Sequence, residues 1–307
     1  MNRAAREQLK RRAVVYPGRA AAWVGALSLF LGTGPLWAAQ PGAAAAAAAA
    51  AARATTGLGS ASRPAARPPT AQAQAPFDPS GYWVSLITEN WRWRMVVPGK
   101  GEYADVPINL RAKQLADAWN PATDEAAGKQ CEAYGAAVIM RNPERLHISW
   151  QDANTLRVDT DEGMQTRLLR FVPPAAPGGP AAAPEPLAAP HTDEPPSWQG
   201  QSAARWQLAA GTAAAAAPAA APRFGSLEVS TDDMLPGLLR KNGIPYGADT
   251  QMREFWDLRT LGTQRWISIS VRVTDPQYLR GPYIYDSIFQ QEPDGSKWAA
   301  SVCTLRS

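Results

Sequence analysis

The chain has 307 residues, with 31 Lys and Arg, 27 Asp and Glu, and two each of Cys and His. These numbers exclude a disulfide-rich scaffold and leave too few ligands for a Cys-rich or multi-histidine centre, so we expect neither metal nor cofactor. Residues 1–39 carry a net charge of +5, residues 40–76 carry +3 and residues 77–307 carry −4. Because binding to nucleic acid needs a basic folded surface, nucleic acid is not expected as a partner.

Residues 1–39 have the three parts of an export signal. A basic start is followed by an apolar run within residues 20–36, and then by a Gly-Pro pair and small residues. The run is shorter than the roughly 20 residues of a spanning helix. We therefore expect cleavage near Ala38 or Ala39, no stable membrane span afterwards, and a periplasmic or secreted protein. General secretion and the twin-arginine route both stay open.

Low-complexity segments divide the rest of the chain. Residues 40–76 contain ten consecutive alanines followed by Ser, Thr, Pro and Gln, a composition typical of a disordered tether. Residues 173–196 and 207–223 are similarly rich in Ala and Pro and separate segments that resemble strands, so we interpret them as inserts. Residues 77–307 are then one domain, with enough remaining chain for a single core.

Apolar and polar residues alternate in most of the remaining segments, which predicts the half-buried strands of an antiparallel sheet. The pattern occurs at residues 91–97, 145–150, 155–160, 166–171, 226–230, 252–256 and 266–273. Short, turn-rich connectors predict a meander over residues 145–171. We predict a mainly β fold with about 8–10 strands, arranged as a sandwich or as an up-and-down barrel. The barrel is favoured because closure leaves no edge exposed.

One or two short helices are expected beside the strands. Asn109 is placed to cap a helix over residues 110–119, and an Asn-Pro pair follows it. The apolar residues of this helix, Leu110, Leu115 and Ala118, should lie over one end of the sheet.

Several motifs of the predicted domain match a known pattern. They are Gly81-Tyr82-Trp83-Val84-Ser85, Trp91-Arg92-Trp93-Arg94-Met95, Val106-Pro107-Ile108-Asn109, Cys131-x-x-Tyr134-Gly135, Pro143-x-Arg145-Leu146-His147-Ile148-x-Trp150, Pro196-Ser197-Trp198-Gln199-Gly200, Leu239-Arg240-Lys241-Asn242-Gly243-x-Pro245-Tyr246, Asp275-Pro276-x-Tyr278-Leu279 and Asp294-Gly295-Ser296-Lys297-Trp298. Together they cover nearly all of residues 77–305 outside the inserts. The pattern is similar to an uncharacterised family of exported bacterial proteins with a lipocalin-like, calycin-type barrel. The resemblance implies fold and compartment, and no catalytic residue.

The two cysteines, Cys131 and Cys303, are interpreted in the light of export. In an oxidising compartment an isolated pair favours a structural disulfide. Two buried free thiols are the alternative.

Ten tryptophans fall within residues 77–307. They either fill a core or line a cavity for a small apolar or amphipathic ligand, since a barrel of about eight strands can hold one small molecule. Trp83, Trp150 and Trp256 are the candidates for interior positions.

The loop at residues 234–247 is too long for a tight hairpin and permits a short helix at residues 238–241. As a lid over the barrel mouth, it would bring Arg240 and Lys241 to an anionic group and Tyr246 to a ring or chain. As a structural plug, it would only close the barrel end.

Three functions are compatible with these features. The first is noncatalytic binding of a small, partly apolar ligand inside the barrel. The second is a carboxylate-dependent hydrolase, for which the candidate acids are Asp232, Asp233, Glu254 and Asp257. The third is an envelope module that buries its aromatic residues against another protein. Since no catalytic triad can be assembled from the sequence, we assign no catalytic residue.

Overall fold

The computed structural model describes residues 69–173, 187–188, 193–209 and 223–305. The strands are β1 (Gly81–Leu86), β2 (Arg145–Asp152), β3 (Thr155–Thr160), β4 (Thr166–Phe171), β5 (Gln201–Leu208), β6 (Gly225–Asp232), β7 (Gly237–Arg240), β8 (Ile244–Tyr246), β9 (Gln251–Leu261), β10 (Gln264–Thr274) and β11 (Tyr283–Glu292). The α-helices in these ranges are α1 (Ala71–Gln74), α2 (Trp91–Met95), α3 (Leu110–Ala118) and α4 (Pro121–Ala126), and the 3₁₀ helices are Glu132–Tyr134 and Ile139–Arg141. In this part of the chain, none of the helices has the length and apolar character to cross a membrane.

The predicted export signal at residues 1–39 lies outside the described residues. So do residues 40–68 of the predicted tether and most of both predicted inserts, including residues 174–186.

Nine strands close into a barrel, in the order β1, β11, β10, β9, β6, β5, β4, β3 and β2. This confirms the prediction of a mainly β barrel with about 8–10 strands. The up-and-down pattern is broken at one place, because β4 and β5 pair in parallel. A parallel pair needs a long return connection, and the chain between Phe171 and Gln201 supplies it.

The predicted meander forms the wall from β2 to β4, and its alternating pattern defines the inside of the barrel. Leu146 and Ile148 on β2, and Leu156 and Val158 on β3, are fully buried. Ile148 lies opposite Val158 in the register, so both side chains point to the same face. The two-residue period therefore fixes which face is the core, as expected for a half-buried sheet.

Residues 91–97, predicted to be a strand, instead contain the short helix α2. The strand prediction was wrong, because the alternating apolar residues of this segment do not form one buried face of a sheet. Arg94 is buried and its Nε donates a hydrogen bond to the carbonyl of Arg141 at 2.9 Å, whereas Trp91 and Met95 are exposed. In a helix, residues 91 and 95 share one face. The helix therefore buries a charged residue and exposes apolar ones.

The chain between β1 and β2 covers one end of the barrel, which we call the covered end. The predicted helix over residues 110–119 is present as α3, and Asn109 caps it by accepting a hydrogen bond from the amide of Ala112. Its buried residues are Ala112 and Ala116, whereas Leu110 and Leu115 are exposed. The expectation that the leucines pack over the sheet was wrong, because small alanines allow the close approach of the helix to β8.

The loop at residues 234–247 completes the cover. The predicted helical turn at residues 238–241 is instead part of β7, which pairs with β8 as a hairpin. Tyr246 is buried, with its hydroxyl beside Gly135 and Gly237. A Cβ atom at these two positions would lie 2.2 Å and 2.7 Å from that hydroxyl, so both positions require glycine.

Aromatic side chains close the opposite end of the barrel. Trp150, Phe171, Trp206 and Phe77 form a continuous row, with neighbouring ring centroids 5.1 to 5.6 Å apart. The indole of Trp206 donates a hydrogen bond to the carbonyl of Ala71 in α1 at 2.8 Å. The last residues of the predicted tether thus pack against the barrel, and β5 extends two residues into the predicted insert at 207–223.

The disulfide between Cys131 and Cys303 is present and joins two residues that are 172 positions apart in sequence. It joins the segment just before the first 3₁₀ helix to the C-terminal segment. Disulfides of this kind persist in oxidising compartments and are rare in the cytosol.

We expect the Cys303→Ser variant to lower the free energy of unfolding by about 3 to 5 kcal/mol, because the disulfide closes a long loop and restricts the unfolded chain. Urea unfolding of the variant, of the oxidised protein and of the reduced protein would test this. Equal unfolding midpoints for all three would contradict a structural role.

Candidate functional site

Side chains fill the barrel interior. Trp83 on β1 and Trp256 on β9 are both fully buried, and the indole of Trp83 donates a hydrogen bond to the carbonyl of Pro79 at 2.9 Å. Trp150 lies at the opposite end beside Phe171. The three tryptophans predicted as ligand contacts therefore occupy core and end positions along the barrel.

A buried ion pair also lies inside the barrel. The guanidinium of Arg167 on β4 donates hydrogen bonds to both carboxylate oxygens of Glu254 on β9, at 3.1 and 2.6 Å. It donates a further bond to the hydroxyl of Thr231 at 3.3 Å. Both side chains of the ion pair are fully buried.

The ion pair involves one of the candidate hydrolytic acids, Glu254, and the other acids lie elsewhere. Glu254 is engaged with Arg167, and Asp257 is three residues further along β9, so it faces the other side of the sheet. Asp233 accepts a hydrogen bond from Gln201 at 3.1 Å. These contacts place Glu254 and Asp257 apart, on opposite faces, rather than across one cleft.

A cleft at the covered end has the chemistry of a binding site. It measures about 180 Å³ and lies between α2, the second 3₁₀ helix and the β7–β8 hairpin. We call it the arginine cleft, and it is lined by Trp93, Arg94, Met95, Val96, Val97, Pro98, Ala133, Val138, Arg141, Asn142, Pro143, Glu162, Leu239, Arg240 and Lys241.

Arg94 is held rigidly in the wall of this cleft. Its Nε donates to the carbonyl of Arg141 at 2.9 Å and its Nη2 donates to the hydroxyl of Ser85 at 3.1 Å. Its Nη1 lies 3.8 Å from the carboxylate of Glu89, and this buried nitrogen has no hydrogen-bond partner among the described residues. Burial and the neighbouring Arg141 lower the pKa of Arg94.

Arg141 lies next to Arg94, at the end of the second 3₁₀ helix. Its Nη1 donates to the hydroxyl of Tyr283, and its guanidinium lies 5.6 Å from the ring centre of Tyr283 and 5.5 Å from that of Tyr285. Only 6% of the residue is exposed, and its Nη2 has no hydrogen-bond partner in the described part of the chain. Two like charges are therefore buried side by side, each with an unused donor.

Two residues predicted from the hairpin, Arg240 and Lys241, line the same cleft. Arg240 donates to the carboxylate of Asp105 and to the carbonyl of Ala104 at 3.0 Å. Lys241 donates to the hydroxyl of Tyr134 at 2.7 Å and lies 3.4 Å from a carboxylate oxygen of Glu162. The structure thus brings Arg240 and Lys241 together with Arg94 and Arg141.

The third hairpin residue predicted for the site, Tyr246, does not line the arginine cleft. Its ring is buried under the hairpin, and burial, together with the charge of Glu132, raises the pKa of the phenol. Its role in the structure is packing against Gly135 and Gly237.

A buried carboxyl group, Glu144, lies between the cleft and the barrel interior. Burial raises its pKa well above the usual range, and the carboxylates of Glu162 and Asp161 act in the same direction. Both of its carboxyl oxygens have no hydrogen-bond partner among the described residues. Since burial favours the uncharged form, Glu144 offsets little of the positive charge around it.

The lining of the cleft contains four basic side chains and one acid. Such a set accepts an anion rather than a metal ion. In the described ranges, no group of three or more His, Cys, Asp or Glu residues is arranged to hold a metal.

Sequence reasoning missed Arg94 and Arg141. Arg94 was assigned to the wet face of a predicted strand, and Arg141 lies in a segment without clear periodicity. The only sequence signal for them is their motif position, beside Trp93 and before Pro143.

Comparisons with protein-family models, with curated proteins and with solved structures give no match for the chain. The function must therefore be inferred from the chemistry of the site itself.

We expect the Glu254→Gln variant to lose about 3 to 5 kcal/mol of stability, because it leaves the charge of Arg167 buried without its counterion. The double variant Arg167→Met/Glu254→Leu should lose much less, since it removes both charges. Chemical denaturation of the three proteins would measure this. A double variant as unstable as the single one would contradict the explanation.

A second titratable group, Glu132, lies beneath the hairpin. Burial and the neighbouring Asp124 raise its pKa to about 7. The carboxyl group of Glu132 therefore keeps its proton in the folded protein up to about pH 7, whereas in the unfolded chain it loses the proton near pH 4.5. The preference of the folded state for this proton stabilises the protein at low pH, and the stabilisation is lost as the pH rises from 4.5 through 7.

We expect the free energy of unfolding to fall by up to about 3 kcal/mol between pH 5 and pH 8 on account of Glu132. The Glu132→Gln variant should show a flatter pH dependence, whereas Glu102→Gln, which changes a half-exposed acid at the surface, should follow the wild type. Thermal or urea unfolding over this pH range would check the prediction. Parallel curves for the wild type and Glu132→Gln would contradict it.

Proposed function

We propose that the protein is a noncatalytic binding protein for a small, partly apolar anion, and that the ligand occupies the arginine cleft. The observation that carries the proposal is the pair of buried guanidinium groups, Arg94 and Arg141, each with a donor that is unused within the described residues. An anionic group between them would supply the missing acceptors.

The energetics favour an anion at this position. Arg94 has one acid near it, Glu89, at 3.8 Å and without a hydrogen bond, whereas Arg141 forms no ion pair among the described residues. A buried charge without a hydrogen-bonded counterion is costly, and burying two like charges together adds their repulsion. Carboxylates and phosphates form short, charge-assisted hydrogen bonds with guanidinium groups, which are about twice as strong as neutral ones. A bound anion would remove both costs at once.

The walls of the cleft favour a ligand that also has an apolar part. Trp93, Val138 and Leu239 line it beside the arginines. A volume of about 180 Å³ corresponds to about six water molecules at the density of the liquid. The cleft is therefore suited to a carboxylate or phosphate group with a few carbon atoms.

The binding site is better supported at the covered end than in the barrel interior, because Trp83 and Trp256 fill the interior. The hydrolase alternative has less support, since Glu254 is neutralised by Arg167. We further propose that the protein is exported through residues 1–39 to the periplasm or beyond. The disulfide is consistent with that location, and the closed barrel is consistent with membership of the lipocalin-like exported family.

Titration calorimetry with hexanoate and with hexyl phosphate would test the proposal. We expect at least one probe to bind the wild type, and Arg94→Gln or Arg141→Gln to weaken the affinity about tenfold or more, because a hydrogen bond to a charged group contributes about 1.5 to 3 kcal/mol.

The matched control is Arg92→Gln. Arg92 lies on the same helix, but its side chain is 64% exposed and pairs with Glu102 at the surface, so this variant should bind like the wild type. Thermal unfolding of each variant would confirm that it is folded. The proposal would be wrong if neither probe bound the wild type, or if Arg92→Gln weakened binding as much as Arg94→Gln.

A further inference from the structure

The helix α2 has its polarity reversed relative to an ordinary surface helix. Arg94 faces the protein, whereas apolar residues lie on the outer side together with Arg92. Trp91 is 64% exposed, Met95 is 56% exposed and Val96 is 59% exposed. Surface helices normally direct the apolar stripe inward, so this cluster requires a different explanation. We call Trp91, Met95 and Val96 the apolar rim.

The apolar rim adjoins the arginine cleft. Met95 and Val96 are exposed and also line the cleft, so a chain attached to an anion in the cleft would leave along these two side chains. Trp91 lies one helical turn before Met95 and does not line the cleft.

The charge around the rim matches an anionic surface. The arginine cleft has four basic side chains, of which Arg94, Arg240 and Lys241 each have an acid nearby. These acids are Glu89, Asp105 and Glu162. Arg92 on α2 pairs with Glu102 at the surface, and Lys100 adds a further positive charge in the segment after the helix. Six basic side chains and four acids thus lie around the rim, so its net charge is positive, whereas residues 77–307 as a whole carry a net charge of −4.

We propose that this end of the barrel docks on the surface of an anionic lipid bilayer, with the phosphate of one lipid in the arginine cleft and the apolar rim in the interfacial layer. The proposal rests on the anion-binding function proposed above and names the source of the anion. Tryptophan is well suited to the interface because its ring is apolar and its N–H is polar. Basic side chains add attraction to anionic headgroups, which falls off with salt.

Co-sedimentation of the full chain with lipid vesicles tests the inference. One set of vesicles contains phosphatidylcholine alone, and the other contains phosphatidylcholine mixed with phosphatidylglycerol. We expect tighter binding to the anionic vesicles. The Trp91→Asp variant should weaken this binding about tenfold, because it replaces an interfacial anchor with a charge that the anionic surface repels.

Leu261→Asp is the matched control, because Leu261 is 75% exposed at the end of β9, away from the covered end. Residues 1–68 are common to all variants, so any binding by this basic segment cancels in the comparison. Asp is well tolerated in the first turn of a helix, so Trp91→Asp should fold. It should also bind hexyl phosphate like the wild type.

Equal vesicle binding by Trp91→Asp and the wild type would overturn the docking proposal, as would a lack of preference for anionic vesicles. A concentration-dependent dimer that Trp91→Asp abolishes would also overturn it and assign the rim to contact between two copies. If hexyl phosphate binding persisted in any of these cases, the proposed function would stand. A wild type that bound hexanoate but not hexyl phosphate would overturn only the docking proposal, and a wild type that bound neither probe would overturn both.

Discussion

One hydrogen-bonded side chain, Arg94, determines the arrangement of the covered end. Its guanidinium connects the hydroxyl of Ser85, in the barrel wall, to the carbonyl of Arg141, in the cover. Arg94 points inward to make both bonds, whereas Trp91 and Met95, which lie one helical turn apart on α2, are exposed. The buried contact therefore fixes the short segment that carries both a wall of the cleft and the apolar rim.

Much of the barrel could be predicted from the sequence because its strands have one wet face and one dry face. The alternation in residues 145–171 corresponds to β2, β3 and β4, and Asn109 marks the start of α3. The cover could not be predicted in the same way. In α2 the hydrophobic pattern is inverted, so a period of two suggested a strand where tertiary contacts impose a helix. The hairpin β7–β8 was missed because its residues are nearly all buried and show no alternation.

Only two of the four basic residues of the candidate site could be predicted from the sequence. Arg240 and Lys241 were recognised because a long loop with adjacent basic residues is an evident feature of the sequence. Arg94 and Arg141 are 47 residues apart in the chain, and their meeting depends on how the crossover from β1 to β2 folds back over the barrel. Local patterns contain no information on such a long-range contact. Of the two alternatives for the tryptophans, core filling and cavity lining, the full burial of Trp83 and Trp256 favours core filling, as in a barrel whose interior is packed.

The parallel pairing of β4 and β5 has a consequence for the tolerance of the fold to change. The return connection is anchored at both ends. The amide of Val172 donates to the carbonyl of Ala204 at 3.0 Å, and Ser197 forms a bridge with Met234. The free-energy cost of closing a loop rises by only about 0.6 kcal/mol for each doubling of its length. A change in the number of residues between these two anchors should therefore leave the strand register unchanged. The crossover is therefore the natural position for grafting a reporter peptide or a purification tag.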